Sequence, residues 1–110
     1  MQAITIAEKL WLEPTLLGAT LNFSDKPLGW HYRVGIGFQS ISECDTALKG
    51  KDCFWTMRDN SLSITGDREL TLVFCPGTPM ERCVVLRGEE LHALKSAIHY
   101  LALTSQPRQN

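Results

Sequence analysis

Over residues 30–38, large apolar side chains alternate without a break. Trp30, Tyr32, Val34, Ile36 and Phe38 are separated by His31, Arg33, Gly35 and Gly37. A period of two fits an extended strand with one apolar face, because successive side chains on a strand point to opposite sides. A helix would scatter the same residues around its circumference. The two glycines leave the other face almost bare, so the strand bends there or something packs close to it. Residues 24–29 (Ser-Asp-Lys-Pro-Leu-Gly) supply turn chemistry just before the strand, and residues 16–23 are the expected hairpin partner.

The other firm signal lies at the end of the chain. Leu91, Leu94, Ile98 and Leu101 recur at spacings of three and four, with Ala97 and Ala102 beside them. Glu89 and Glu90 fall where the helix dipole favours negative charge, Gly88 is an acceptable cap, and Pro107 lies beyond the end. The pattern predicts an amphipathic helix over 88–103. Burial of its four large side chains contributes roughly 1.5–3 kcal/mol each before entropy is subtracted, so packing on a sheet accounts for the stripe.

Between these signals, residues 53–58 and 61–65 read as a hairpin about Asp59-Asn60, two residue types that tolerate the left-handed conformation. Residues 70–75 and 82–86 read as a second hairpin about Pro76-Gly77-Thr78-Pro79. Residues 40–51 show little pattern beyond a helical turn near Cys44 and Leu48, with Ser42 as its cap. Residues 3–13 admit two readings. Ile4, Ile6, Leu10 and Leu12 alternate as in a strand, while Thr5 and Glu8 form a capping-box pattern; the strand is preferred.

The fold class expected is α+β: an antiparallel sheet of about five to seven strands with one C-terminal amphipathic helix packed on it. With 110 residues, one domain over 1–104 and a loose tail over 105–110 are expected. A chain of this length with 44% hydrophobic and 21% charged residues builds a core without disulfides or metal. No apolar run approaches a membrane span and no secretion signal is legible, so no membrane association and a cytoplasmic location are expected. A net charge of −1 gives no global bias toward nucleic acid or anionic lipid. No repeat is visible in the sequence.

Chemical signatures are sparse. Cys44, Cys53, Cys75 and Cys83 contain no C-x-x-C pair. Cys75 and Cys83 flank the proposed hairpin loop symmetrically, which would set them opposite one another; reduced, packed thiols are the preferred reading. His92 and His99 share a helix face but stand two turns apart, too far for one metal ion, and read as solvated side chains. His31 offers a Cys–His pairing only if the fold brings a thiol to it. Gly35-Ile36-Gly37 lacks the remainder of a dinucleotide fingerprint. No cofactor, metal or catalytic residue is therefore assigned, and an enzyme is not expected.

The order of the last four strands and the helix, running through CVVLRGEELHALKSAI, resembles the single-stranded-DNA-binding PC4-type coactivator fold over about half of the chain. The resemblance implies a curved sheet followed by a helix. A single-strand groove would combine stacking aromatics with basic residues. Trp55, Arg58, Arg68, Arg82 and Arg87 are the available set, opposed by Asp59, Asp67, Glu69 and Glu81 beside them.

The leading expectation is a non-enzymatic protein-binding module, such as a small inhibitor, immunity or adaptor protein of a bacterium, phage or other mobile element. Trp30, His31, Tyr32 and Arg33 form the densest cluster of the residue types that dominate protein interfaces. A free sheet edge would add pairing with a partner strand or a second copy as a homodimer. Single-stranded nucleic-acid binding is the alternative, and a thiol- or metal-dependent enzyme the third.

Overall fold

The structure, a computed structural model, describes residues 2–104. The expected tail at 105–110 lies outside the described residues. Two sheets, each a four-stranded antiparallel meander, account for all the described strands. The first contains β1 (Ile4–Ala7), β2 (Leu10–Thr15), β3 (Gly18–Asp25) and β4 (Trp30–Gly37), in that spatial order. Helix α1 (Phe38–Lys49) follows. The second contains β5 (Cys53–Thr56), β6 (Leu62–Gly66), β7 (Glu69–Phe74) and β8 (Arg82–Arg87), followed by helix α2 (Gly88–Thr104). The class is α+β, but among the described residues eight strands in two sheets and two α-helices replace the single sheet and single helix expected.

The chain thus runs through the order ββββα twice, a repeat of architecture that the sequence does not display. The order of four strands and a helix expected of the second half is present in the structure, and the first half has the same order. The reason for two sheets rather than one is α1. It begins at Phe38, where the alternation of 30–38 ends, and carries the chain away from β4 before β5 starts. Ile41, Cys44 and Leu48 form its buried stripe at spacings of three and four. That stripe is shorter than the one on α2, and no side-chain cap announces it, because Gly37 occupies the N-cap position and Ser42 lies inside the helix.

The strand reading of 3–13 is correct. Thr5 lies in β1 and no helix forms there; a turn at Glu8-Lys9 reverses the chain into β2. The 16–23 partner strand begins two residues late, because Leu16 and Leu17 are the turn itself. Asn60 takes the left-handed conformation expected of the Asp59-Asn60 turn, with φ 59°. Asp59 accepts hydrogen bonds from the Ser61 N–H at 3.0 Å and the Ser61 hydroxyl at 2.6 Å, and these hold its carboxyl below the usual range.

One contiguous core joins both halves. The inner faces of the sheets contribute Leu12, Leu21 and Val34 from the first and Ile64, Leu72 and Leu86 from the second. Helix α2 packs on α1, β1, β7 and β8, burying Leu94, Ile98 and Leu101 as its periodicity requires. The sheets meet directly at an aromatic stack. Phe74 of β7 stacks on Phe23 of β3 and Tyr32 of β4, with ring centroids 5.6 and 5.3 Å away. The Tyr32 hydroxyl donates to the Met80 carbonyl in the loop between β7 and β8. No helix among the described residues is long and apolar enough to cross a membrane.

Candidate functional site

Each sheet keeps one face outside the core. On the first sheet the register sets Trp11, Glu13 and Thr15 of β2 beside Asn22, Thr20 and Gly18 of β3. The same row positions of β4 carry Arg33, Gly35 and Gly37. The face is ordered from its centre. Glu13 Oε1 accepts from the Asn22 amide at 3.0 Å and from the Trp11 indole N–H at 3.1 Å. The Asn22 side chain also donates to the Thr20 carbonyl at 3.2 Å. These bonds satisfy Asn22, which is only 1% exposed, and they hold Trp11 beside the His31 ring, with centroids 6.3 Å apart and the ring planes tilted by 47°.

Toward the other end, Gly35 and Gly37 contribute no side chains and the sheet surface is open backbone. The hairpin joining β2 to β3 closes over this end. Thr15 pairs with Gly18, so the turn has two residues, Leu16 and Leu17. Two-residue hairpins favour Asn-Gly or Gly-containing pairs, because their usual turns need positive φ. Here both turn residues are leucines and neither has positive φ. The neighbouring residues meet the geometric demand. Thr15 Oγ1 accepts from the Leu17 N–H at 3.3 Å, and Gly18 takes φ +147° against β4. A Cβ at Gly18 would stand 2.0 Å from the Ile36 carbonyl oxygen, so only glycine fits. Leu16 and Leu17 are 87% and 80% exposed, the largest values among the exposed large apolar residues with Phe54. With Ala19, Thr20, Gly35 and Gly37 they line an open, largely apolar groove of about 820 Å³.

The cluster expected at 30–33 is divided by the alternation of β4. His31 and Arg33 are exposed on the outer face, and Arg33 makes no ion pair among the described residues. Tyr32 points inward and is buried. Trp30 is half-buried, stacked on Tyr32 at 6.1 Å with the Arg82 guanidinium 3.9 Å above its ring. Those two aromatics join the sheets; they do not extend the outer face. Sequence reasoning missed Leu16 and Leu17, since an apolar pair before Gly18 reads as the start of a strand. The signal that identifies them is the inward or outward parity of Thr15 and Gly18, which requires a turn between.

The residues considered for nucleic acid do not converge. Trp55 is 7% exposed on the inner face of the second sheet, where it offers no ring to a base. Arg58 pairs with Glu43 at 3.5 Å, Arg87 with Glu69, and Arg82 is laid on Trp30. Arg68 stands alone at the β6–β7 turn. The arginines thus lie on different faces, and two are neutralised by neighbours.

The thiols are equally dispersed. Val73, two residues before Cys75, pairs with Cys83, so the hairpin is not symmetric and Cys75 and Cys83 are not opposite; all four cysteines are free. Burial pushes the Cys44 thiol up strongly, with Cys53 and Asp45 adding to the effect, and burial raises Cys53 as well. His31 stands beside Trp11, not beside a thiol. His92 and His99 share a face as expected, but His99 is not simply solvated. Its Nδ1 lies 3.2 Å from both Asp45 oxygens in a shallow depression between the helices, where Lys49 also meets Asp45 at 3.2 Å. Among the described residues no group of three or more His, Cys, Asp or Glu side chains is placed to hold a metal ion.

Comparisons of the chain with protein-family models, curated proteins and solved structures find no match. The function is therefore argued from the geometry alone.

Proposed function

We propose that the chain is a non-enzymatic protein-binding module that inserts the Leu16-Leu17 turn into an apolar cleft of a partner protein. One observation carries the reading: the two residues at the tip of the β2–β3 turn are both leucines, 87% and 80% exposed. Exposed apolar side chains at a turn, lining one side of an apolar groove, are the pattern of an interface. Arg33 and His31 lie on the same sheet face and would meet acidic groups at the rim of the partner's surface. A small inhibitor, immunity or adaptor role suits such a module.

The test is comparative purification from cells of the source organism. The unaltered chain is set against the double variant Leu16→Asn, Leu17→Gly, and retained proteins are quantified by mass spectrometry. A partner held by the unaltered chain and lost with the variant is the expected result. A folded variant that retains the same proteins as the unaltered chain overturns the reading.

A further inference from the structure

Helices α1 and α2 close the two ββββα halves, and they pack against each other. Each also reaches the first strand of the other half: α1 meets β5, and α2 meets β1. Their apolar stripes agree in register. Ile41, Cys44 and Leu48 stand fourth, seventh and eleventh in α1, and Leu91, Leu94 and Ile98 hold the same places in α2. The helices are thus arranged as an approximate two-fold pair, in which a contact from residue i to residue j is repeated from j to i. Four polar residues follow the same rule. Asp45 and Lys95 stand eighth in their helices, Lys49 and His99 twelfth. Asp45 meets His99 at 3.2 Å, and the matching place on the other side of the axis turns Lys95 toward Lys49. One side of the pair is therefore complementary and the other sets two like charges together.

All four residues line one open depression of about 390 Å³, with His92 and Ser96 beside them. Its single acid, Asp45, is buried and already held by Lys49 at 3.2 Å and by His99. Lys95 is half-buried and makes no ion pair among the described residues. Taking a cation partly out of water near a like charge costs free energy unless an anion meets it.

We infer that the depression between α1 and α2 binds a phosphate group, either as the free ion or as a small phosphate monoester. Such a group carries a charge of about −1.5 to −2 at pH 7 and three oxygens that accept hydrogen bonds. Lys95 and Lys49 supply the opposing charge, as lysines do at many phosphate sites. The Ser96 hydroxyl and the His92 ring, 3.4 Å apart, supply further polar contacts on the same wall. Asp45 anchors Lys49 and His99 on α1 and so holds that wall in place. A carboxylate ligand carries a single charge and two oxygens, and answers the two lysines less well. The volume suits a phosphate with a few carbon atoms attached, at the lower end of the roughly 300–1,000 Å³ usual for small-molecule sites. The depression shares no residue with the Leu16-Leu17 groove, so the inference does not depend on the function proposed above.

Titration of the full chain with inorganic phosphate, glycerol 3-phosphate and acetate, at constant pH and low salt, tests it through the imidazole resonances of the three histidines. His92 and His99 line the depression, and His31, beside Trp11 on the first sheet, is the internal control. Saturable shifts of His92 and His99 with His31 unmoved are expected for phosphate, at a Kd of about 1 mM or tighter, with acetate at least about tenfold weaker. Tighter binding of glycerol 3-phosphate than of inorganic phosphate assigns a monoester; equal or weaker binding assigns the free ion. Lys95→Gln is expected to weaken phosphate binding at least about tenfold and Lys95→Arg to preserve most of it, because the point charge decides. Arg68→Gln, at the exposed β6–β7 turn, is expected to change nothing. Circular dichroism verifies folding, and Lys49→Gln, at an exposed position, replaces Lys95→Gln if that variant does not fold. The absence of saturable shifts with either phosphate overturns the inference. So does acetate binding as tight as phosphate binding. Phosphate binding that survives the lysine variant, or that falls equally with Arg68→Gln, also overturns it, since the anion is then held elsewhere or by net charge alone.

Discussion

At the scale of single residues, two side chains carry consequences that go beyond their contacts. Gly18 has φ +147° and no room for a Cβ. Gly18→Ala is expected to destabilise the fold by at least about 1–3 kcal/mol, read by chemical denaturation, because the strain and the clash with the Ile36 carbonyl add together. Cys44 is fully buried between the helix and the sheets, and its thiol is pushed above the ordinary value of 9.0. The folded state therefore keeps a proton that the unfolded chain releases. The resulting stabilisation is complete below the ordinary thiol range and is lost as pH rises above it. Denaturation midpoints measured from about pH 7.5 to about 10.5, roughly one and a half units either side of that value, should fall for the unaltered chain. They should fall less for Cys44→Ala, after allowance for the cost of the smaller side chain. Equal slopes would mean that the Cys44 thiol does not contribute.

At the scale of elements, the hairpin between β2 and β3 turns without positive φ at either leucine, and Gly18 takes the one demanding position. The pair Leu16→Asn, Leu17→Gly therefore relieves no strain and adds freedom to the unfolded chain. It is expected to lower stability by no more than about 1 kcal/mol, read by chemical denaturation, while removing the exposed apolar tip. A loss of about 2 kcal/mol or more would show that the leucines stabilise the turn and are not there for a partner. The strand β4 teaches a related lesson. Its alternation was plain in the sequence, and the same alternation forbids Trp30, His31, Tyr32 and Arg33 from acting as one patch. A cluster of four consecutive residues on a strand is always two pairs on opposite faces.

At the scale of the molecule, the two ββββα halves share one core and meet at the Phe23–Phe74–Tyr32 stack. Neither half buries both of its inner surfaces by itself. Thermal unfolding followed by near- and far-ultraviolet circular dichroism should accordingly give one coincident transition. Phe74→Ala leaves a cavity at the junction of both sheets and should cost about 3–5 kcal/mol without separating that transition into two. Two resolved transitions would indicate that the halves are independent domains.

The sequence by itself determined the α+β class, the strand beginning at Trp30, which ends at Gly37, one residue earlier than its alternation, the turn at Asp59-Asn60 and helix α2. Each rests on periodicity or turn chemistry within a short window, which neighbours in sequence suffice to express. Helix α1 was only partly legible, because its stripe of Ile41, Cys44 and Leu48 is short and its cap is a glycine. What only the tertiary structure decided is the division into two sheets, the pairing of His99 with Asp45 and the exposure of Leu16 and Leu17. Those depend on which surfaces meet across the chain. Exposure is a property of what fails to pack, and no local pattern records it.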